Sequence, residues 1–147
     1  MEVLIDNRQK KYKISLKQIQ EKAKAILNAL DSPEAELSIL IVDDPQIAVF
    51  NKQYLNRKGP TNVIAFPMRD GPYGDITPQL LGDVVISVET ADRERKRVGS
   101  SMEERFTQLL VHGILHLLGY DHETSDQDAQ EMEEKSKEIL KLISFHP

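Results

Sequence analysis

The chain has 147 residues, which suits one domain with one core, and its 39% hydrophobic and 29% charged residues are typical of a globular protein rather than a disordered one. It contains no cysteine, which excludes disulfides, cysteine-ligated zinc, iron–sulfur clusters and thiol catalysis. The net charge of −5 belongs to residues 121–147, whereas residues 1–120 are neutral, so the composition argues against non-specific coating of nucleic acid and leaves room for a local basic groove.

The first elements along the chain are predicted to be a strand, a helix and a second strand. EVLID (2–6) is short and apolar enough for a strand. Ser15, with glutamine three residues later, resembles a capping box and opens an amphipathic helix over 16–30. The continuous β-rich run ELSILIV (36–42) predicts a buried strand.

A second helix and a third strand are predicted next. Asp44 is the expected N-cap, with Pro45 at the first helical position, and the helix should run to about Asn56. NVIAF (62–66) predicts the third strand. The following segment, 69–80, is rich in glycine and proline and is expected to be a surface loop.

The fourth strand is predicted at LGDVVISVE (81–89), with a short charged helix after it in TADRERKRVG (90–99). Ser101 resembles the start of a second capping box and opens a helix whose segment FTQLLVHGILHLL (106–118) is apolar nearly all round, so this helix should be central. Gly119 is expected to end it in the left-handed conformation.

A last helix is predicted over about 126–143, capped by Thr124 or Ser125. Together these elements predict one α+β domain over residues 1–147, with about four strands in a central sheet and about five helices. No apolar run approaches the roughly 20 residues needed to span a bilayer, and the N-terminus does not resemble a signal peptide. We therefore expect a cytoplasmic protein without a membrane partner.

Three histidines of the central helix and the turn after it have the spacing of metal ligands. His112 and His116 are four residues apart, so both lie on one face of a helix, and the reversal at Gly119 would let His122 return toward them. Three neutral imidazoles suit one zinc ion with its fourth position open, which is typical of catalytic rather than structural sites. The spacing H-x-x-x-H-x-x-G-x-x-H predicts a zincin-like helix and turn.

Position 113 separates this pattern from that of zinc peptidases. Those enzymes have a glutamate there as general base, whereas this chain has Gly113. Peptidase chemistry is therefore disfavoured, while a bound metal could still polarise a phosphoryl oxygen or activate water. Asp121, Glu123 and Asp83 are candidates for proton transfer. Asp121 would equally suit a partner that orients a histidine, and Asp83 a capping or turn residue.

Three blocks of the sequence resemble the YbeY family of single-domain bacterial proteins. HGILHLLGYDH (112–122) is similar to that family's H-G-x-L-H-L-x-G-Y-D-H, PTNVIAFP (60–67) to its P-T-D-V-L-S-F-P, and LGDVVIS (81–87) to its L-G-D-I-x-I-S. The order and spacing of the blocks also agree, so the resemblance covers most of the chain.

This resemblance implies an α+β fold, one zinc ion held by His112, His116 and His122, and a metal-dependent endoribonuclease acting on single-stranded RNA. It further implies a role in maturation of small-subunit ribosomal RNA and in ribosome quality control. The partners to be expected are ribosomal RNA, the small subunit and ribosome-associated proteins.

The chain departs from the family pattern on the substrate side. Leu55 falls where the family has arginine, and Arg57 takes the place of a following lysine and is a candidate phosphate contact. Asn62 replaces the usual aspartate and Ala65 the usual serine.

Two basic clusters are candidates for RNA contact. One contains Arg57 and Lys58, and the other consists of Arg93, Arg95, Lys96 and Arg97. The second cluster is equally compatible with a solvated helix face that pairs with its own acidic residues.

Two other functions fit parts of the pattern. A zinc peptidase shares the ligand spacing and lacks the glutamate. A non-enzymatic ribosome-associated factor could use zinc to stabilise an RNA-binding fold, although no fourth protein ligand is evident.

Overall fold

The computed structural model describes residues 2–68, 80–120 and 125–144. They form four strands and five helices: β1 (Glu2–Asn7), α1 (Leu16–Ala29), β2 (Glu36–Val42), α2 (Asp44–Leu55), β3 (Val63–Pro67), β4 (Leu80–Ser87), α3 (Val88–Val98), α4 (Met102–Leu117) and α5 (Asp126–Ser144). The predicted α+β class, with a four-stranded sheet and five helices, is confirmed. None of the described helices is long and apolar enough to cross a membrane.

The strands form one mixed sheet in the order β1-β2-β4-β3. β1 and β2 are parallel, as are β2 and β4, whereas β3 runs antiparallel to β4. β1 and β3 are therefore the two edge strands. The antiparallel edge strand β3 becomes one wall of the candidate site.

The two faces of the sheet are covered to different extents. The inner face, which carries Val84 and Ile86 of β4, packs with α1, α4 and α5 into the main core. The outer face packs with α2 in a smaller cluster that includes Ile47, Ile64 and Val85. α4 lies across the inner face against both β3 and β4, and most of its side chains are buried, as its apolar sequence predicts.

Serine and aspartate caps fix where the helices begin. The Ser15 hydroxyl accepts from the Gln18 N–H at 3.2 Å and the Ser101 hydroxyl from the Glu104 N–H at 3.0 Å, so both predicted starts are confirmed. The N-cap predicted at Asp44 is wrong. Asp43 is the cap and forms a reciprocal capping box with Gln46, which places Pro45 at the second helical position.

The predicted end of the fourth strand is also wrong, because the strand ends at Ser87 and α3 begins at Val88. Ser87 is fully buried, and it is both the last residue of β4 and the N-cap of α3. Its hydroxyl accepts from the Thr90 N–H and donates to Asp44 at 2.7 Å. The apolar sequence therefore continues from the strand into the helix, and no glycine, proline or loop segment marks the boundary between them.

Charged residues connect the first half of α3 to its surroundings. Asp44 accepts from Thr90, Ser87 and Arg93; burial acts to raise the pKa of its carboxyl, but these hydrogen bonds outweigh burial and lower it. Asp92 accepts from Arg95 at 2.8 Å and from the Tyr12 hydroxyl at 2.9 Å. These bonds connect α3 to α2 and to the segment before α1.

Asp92 is expected to make stability depend on pH in the acid range. The Arg95 guanidinium is the main cause that lowers the pKa of Asp92 to about 2, burial opposes it, and Tyr12 and Lys96 lower it further. Because the folded pKa lies below the unfolded one, this stabilisation is present above about pH 4 and is lost as the pH falls toward 2. Asp92→Asn should cost about 1–2 kcal/mol at pH 7 and about half as much at pH 3.

Urea unfolding of both proteins at the two pH values measures this difference. Asp6→Asn is the matched control, because Asp6 pairs with Arg8 at a site where both side chains are about half exposed (53% and 51%), and it should change stability little at either pH. A cost for Asp92→Asn that does not change with pH would contradict the linkage.

Candidate metal-binding groove

Two of the three predicted metal ligands share one groove. His112 and His116 lie one turn apart on α4, with ring centroids 4.8 Å apart and ring planes at 62°. Both side chains are half-buried. They line a groove together with Leu55, Arg57, Gly113 and residues 61–65 of the β3 segment. The helix thus forms one wall and the edge strand the other.

The end of α4 is fixed by its own backbone. Gly119 has φ +102°, in the left-handed region predicted for it. The Gly119 N–H donates to His116 O and the Tyr120 N–H to Leu115 O, each at 3.0 Å, which are the two bonds of a Schellman motif. The chain therefore reverses directly after the helix, as the ligand spacing requires.

The third predicted ligand follows this turn in the sequence. His122, the candidate base Asp121, Glu123 and the alternative cap Thr124 lie outside the described residues, as does most of the predicted loop 69–80. In the described part of the chain, no group of three histidine, cysteine, aspartate or glutamate side chains is placed to hold a metal ion. Two imidazoles on adjacent turns with half-buried rings supply two ligands of a kind that suits zinc, so the residues fit a zinc site as far as they are described.

Gly113 lets α4 lie directly on the sheet. A Cβ atom at this position would be 2.6 Å from Cγ1 of Val84, 3.1 Å from its Cγ2 and 3.3 Å from Cγ2 of Val63. Position 113 therefore faces the strands, and glycine is the residue that permits this contact. The same contact brings His112 and His116 next to β3.

Asp83 lies on the opposite face of the sheet from the two histidines. Its neighbour Val84 contacts Gly113 on the inner face, and successive side chains of a strand point to opposite faces. Asp83 lines a separate outer groove with residues such as Phe66 and Tyr54. The sheet separates its carboxylate from the imidazoles, so the predicted direct proton transfer by Asp83 does not fit this arrangement.

The end of α2 supplies the basic side of the groove. Asn56 caps α2 in the left-handed conformation with φ 53°, and the buried side chain of Asn51 donates to Gly59 O at 2.9 Å. These contacts fix the loop that carries Arg57. Arg57 and Leu55 both line the groove with the histidines, so the predicted phosphate contact lies near them, whereas Lys58 does not line the groove.

A polar network that sequence reasoning missed borders the groove. Asn62 donates to Glu94 at 3.2 Å, and Glu94 also accepts from Arg105 at 3.0 Å. The Asn62 side-chain oxygen accepts from the Val63 N–H at 2.7 Å. The network ties α3 and α4 to the start of β3. No local sequence signal identifies it, because its three side chains come from segments far apart in the chain.

Three of the four cations in the basic cluster of α3 form ion pairs. Arg93 pairs with Asp44 at 2.7 Å, and Arg95 and Lys96 pair with Asp92 at 2.8 and 3.2 Å. These pairs favour the interpretation of a helix face that pairs with its acidic neighbours. Arg97 is exposed near the end of the helix.

Comparisons with known proteins agree on one family. The family model described as Endoribonuclease YbeY matches residues 4–144. A protein named Endoribonuclease YbeY from Geobacter sulfurreducens is 45% identical over 144 residues, which cover 97% of this chain and 96% of that protein. A protein of the same name from Syntrophotalea carbinolica is 46% identical over 140 residues, covering 95% of this chain and 93% of that protein.

A solved structure supports the fold. The solution structure of TM1509 from Thermotoga maritima aligns with a TM-score of 0.66 at 24% identity and covers 96% of this chain and 88% of that one. At this identity the alignment supports the fold alone.

Proposed function

Because the chain belongs to the endoribonuclease YbeY family, we propose that it hydrolyses phosphodiester bonds of single-stranded RNA in the groove of His112 and His116. The observation that carries the proposal is that one groove is lined by two adjacent imidazoles of α4, by the edge strand β3 and by Arg57. The substrate is proposed to be ribosomal RNA during small-subunit maturation and quality control, which would place the protein in the cytoplasm.

One zinc ion per chain is proposed, held by His112, His116 and His122. Zinc bound there would supply Lewis-acid chemistry and an activated water to a phosphodiester. The imidazoles must be neutral to hold the ion, so binding should weaken in mildly acidic solution. Arg57, which lines the same groove, is proposed to contact a phosphate, and Asp121 stays a candidate for orienting a ligand or for proton transfer.

The peptidase alternative is disfavoured by packing as well as by residue type. Position 113 faces Val84 and Val63, so a glutamate there would have to displace the buried side chain of Val84 and the half-buried side chain of Val63. A glutamate at this position therefore does not fit the packing of α4 against the sheet. We therefore expect no cleavage of casein by the wild type.

A test of the substrate uses one oligonucleotide sequence in three forms. The zinc-loaded protein is incubated with single-stranded RNA, the RNA duplex and single-stranded DNA, with casein as a fourth substrate. Cleavage of the single-stranded RNA, and little or none of the others, is expected. Cleavage of casein that chelator abolishes, with intact RNA, would replace the nuclease proposal by the peptidase one.

Restoring a cation at Leu55 is expected to increase activity. Leu55 lines the histidine groove and is 43% exposed, so an arginine there has room to contact a phosphate. Leu55→Arg should raise kcat/KM on single-stranded RNA by about 3- to 10-fold at low salt, the size of a single charge-assisted phosphate contact.

Val49→Arg is the matched control. Val49 lies on the same helix and is 61% exposed, but it does not line the groove. It adds the same charge and should leave kcat/KM nearly unchanged. Equal stimulation by both variants would mean that net charge, and not a contact in the groove, causes the increase.

A further inference from the structure

The ladder between β3 and β4 determines which way each backbone group of β3 points. The Ser87 N–H donates to Asn62 O at 3.0 Å, and the Met68 N–H donates to Leu81 O at 2.8 Å. In an antiparallel ladder the residues that exchange these bonds alternate with residues whose N–H and C=O point away. The backbone groups of the even-numbered positions of β3 therefore face β4, and those of Val63, Ala65 and Pro67 face the edge at which no other described strand pairs.

One backbone donor remains at this edge. Val63 N–H donates to the Asn62 side chain at 2.7 Å, and Pro67 has no N–H. Within β3, the N–H of Ala65 is the outward donor that no described residue accepts. A strong donor of this kind needs a partner, whether water, another segment or a ligand.

Ala65 lies beside the two histidines. Its cross-strand partner is Val84, the residue on which Gly113 of α4 packs. Ala65 lines the same groove as His112 and His116. The outward N–H therefore belongs to the wall that faces the imidazoles.

We propose that the backbone N–H of Ala65 donates to a non-bridging oxygen of the RNA phosphate held in the histidine groove. This inference rests on the proposed nuclease function. A fixed amide donor gains strength as negative charge develops on the phosphoryl oxygens, and it requires no side chain. With this hydrogen bond, the phosphate would be recognised by the backbone of the edge strand as well as by a basic side chain.

Substitution by proline tests this donor selectively. Ala65→Pro removes the N–H at an outward position of an edge strand, where proline leaves the ladder intact. Ala65→Ser keeps the N–H and is the matched control. A third protein, in which an ester replaces the amide bond between Ile64 and Ala65, removes the same N–H while keeping the side chain. Melting temperature and zinc content are measured for each.

Cleavage and binding of a single-stranded RNA oligonucleotide are then compared. The ester protein should lose about 10- to 100-fold in kcat/KM relative to the wild type, and the proline variant should lose a similar factor relative to Ala65→Ser, which has a changed side chain but keeps the N–H. If the wild type cuts and all three variants cut equally well, the inference is wrong and the proposed function stands. If only the proline variant loses activity, distortion of the strand is the cause and the inference is also wrong.

Two further outcomes would also overturn the proposed role of the Ala65 N–H. A wild-type protein that neither binds nor cuts the RNA would overturn the proposed function and this inference together. RNA cleavage that is unchanged while binding of an extended peptide falls would assign the edge to strand addition by a peptide, contrary to the proposal.

Discussion

Replacing His116 by alanine is expected to remove bound zinc and to lower the rate of RNA cleavage by more than about 100-fold. Loss of a residue that only orients a ligand typically costs 10- to 100-fold in affinity or activity, so loss of a ligand should cost more. The side chain is half-buried at the groove and is not part of the apolar core, so the variant should fold. Zinc content by mass spectrometry, melting temperature and cleavage rate are measured on the same preparation.

Gln108→Ala is the matched control for this variant. Gln108 lies on α4 one turn before His112, is also half-buried, and accepts a hydrogen bond from Arg105 at 2.9 Å. It is not a predicted ligand, so the variant should keep its zinc and most of its activity. If folded, zinc-free His116→Ala cut RNA like the wild type, the cleavage would come from another site or from a contaminant.

Adding one methyl group at Gly113 is expected to destabilise the fold although it improves helix propensity. Alanine gains about 1 kcal/mol over glycine within a helix. Its Cβ would lie 2.6 Å from Cγ1 of Val84, which is fully buried, and a β-branched side chain has little freedom to move. Overpacking of this kind costs about 1–3 kcal/mol, and here it should exceed the gain.

The expected result for Gly113→Ala is a melting temperature lower by several degrees, about 2–4 °C for each kcal/mol in a domain of this size. The rate of RNA cleavage should fall by more than the loss of folded protein explains, because the clash moves α4 and its histidines away from β3. Gly113→Glu, which restores the residue of the peptidase pattern, should be less stable still and should not cleave casein.

A double-mutant cycle with Val84→Ala identifies the cause. Val84→Ala alone should destabilise the protein by removing buried methyl groups. In that background the two nearest atoms are gone, so Gly113→Ala should cost close to nothing or become stabilising. An equal cost of Gly113→Ala in both backgrounds would contradict the packing explanation and point to a helix-specific need for glycine.

Local signals explain why the helix of the site was predictable. Ser101 begins α4, the apolar run identifies it as central, and Gly119 ends it, and each of these features acts within a few residues. The spacing of His112 and His116 then fixes their shared face without knowledge of the rest of the fold. The resemblance to one family rested on the histidine block together with the blocks 60–67 and 81–87, and it was confirmed by the comparisons.

The errors at helix starts have local causes as well. Asp43 and Asp44 are adjacent and both suit an N-cap, and the structure selects Asp43 because Gln46 completes its capping box. Ser87 is buried in β4 and caps α3 at once, so hydrophobicity alone extends the strand too far.

The surroundings of the histidines could not be predicted, because they depend on which distant segments pair in the sheet. β4 is buried on both faces, so its sequence does not show that Val84 faces α4 and that Asp83 faces away. The register of β3 against β4 turns the N–H of Ala65 away from β4, in a strand that lines the histidine groove, and the sequence of β3 alone does not show this register. Residue types therefore do not predict which backbone N–H groups of a strand point away from its neighbour.

The most direct test of a metal-dependent nuclease in the histidine groove is a titration of zinc against activity. Chelator is added stepwise to the wild-type protein, and bound zinc, melting temperature and the rate of single-stranded RNA cleavage are measured at each step; zinc is then returned. The cleavage rate should fall in proportion to bound zinc and recover when zinc is restored, while His116→Ala stays inactive throughout. Full cleavage by folded, zinc-free protein would contradict the proposed role of these histidines.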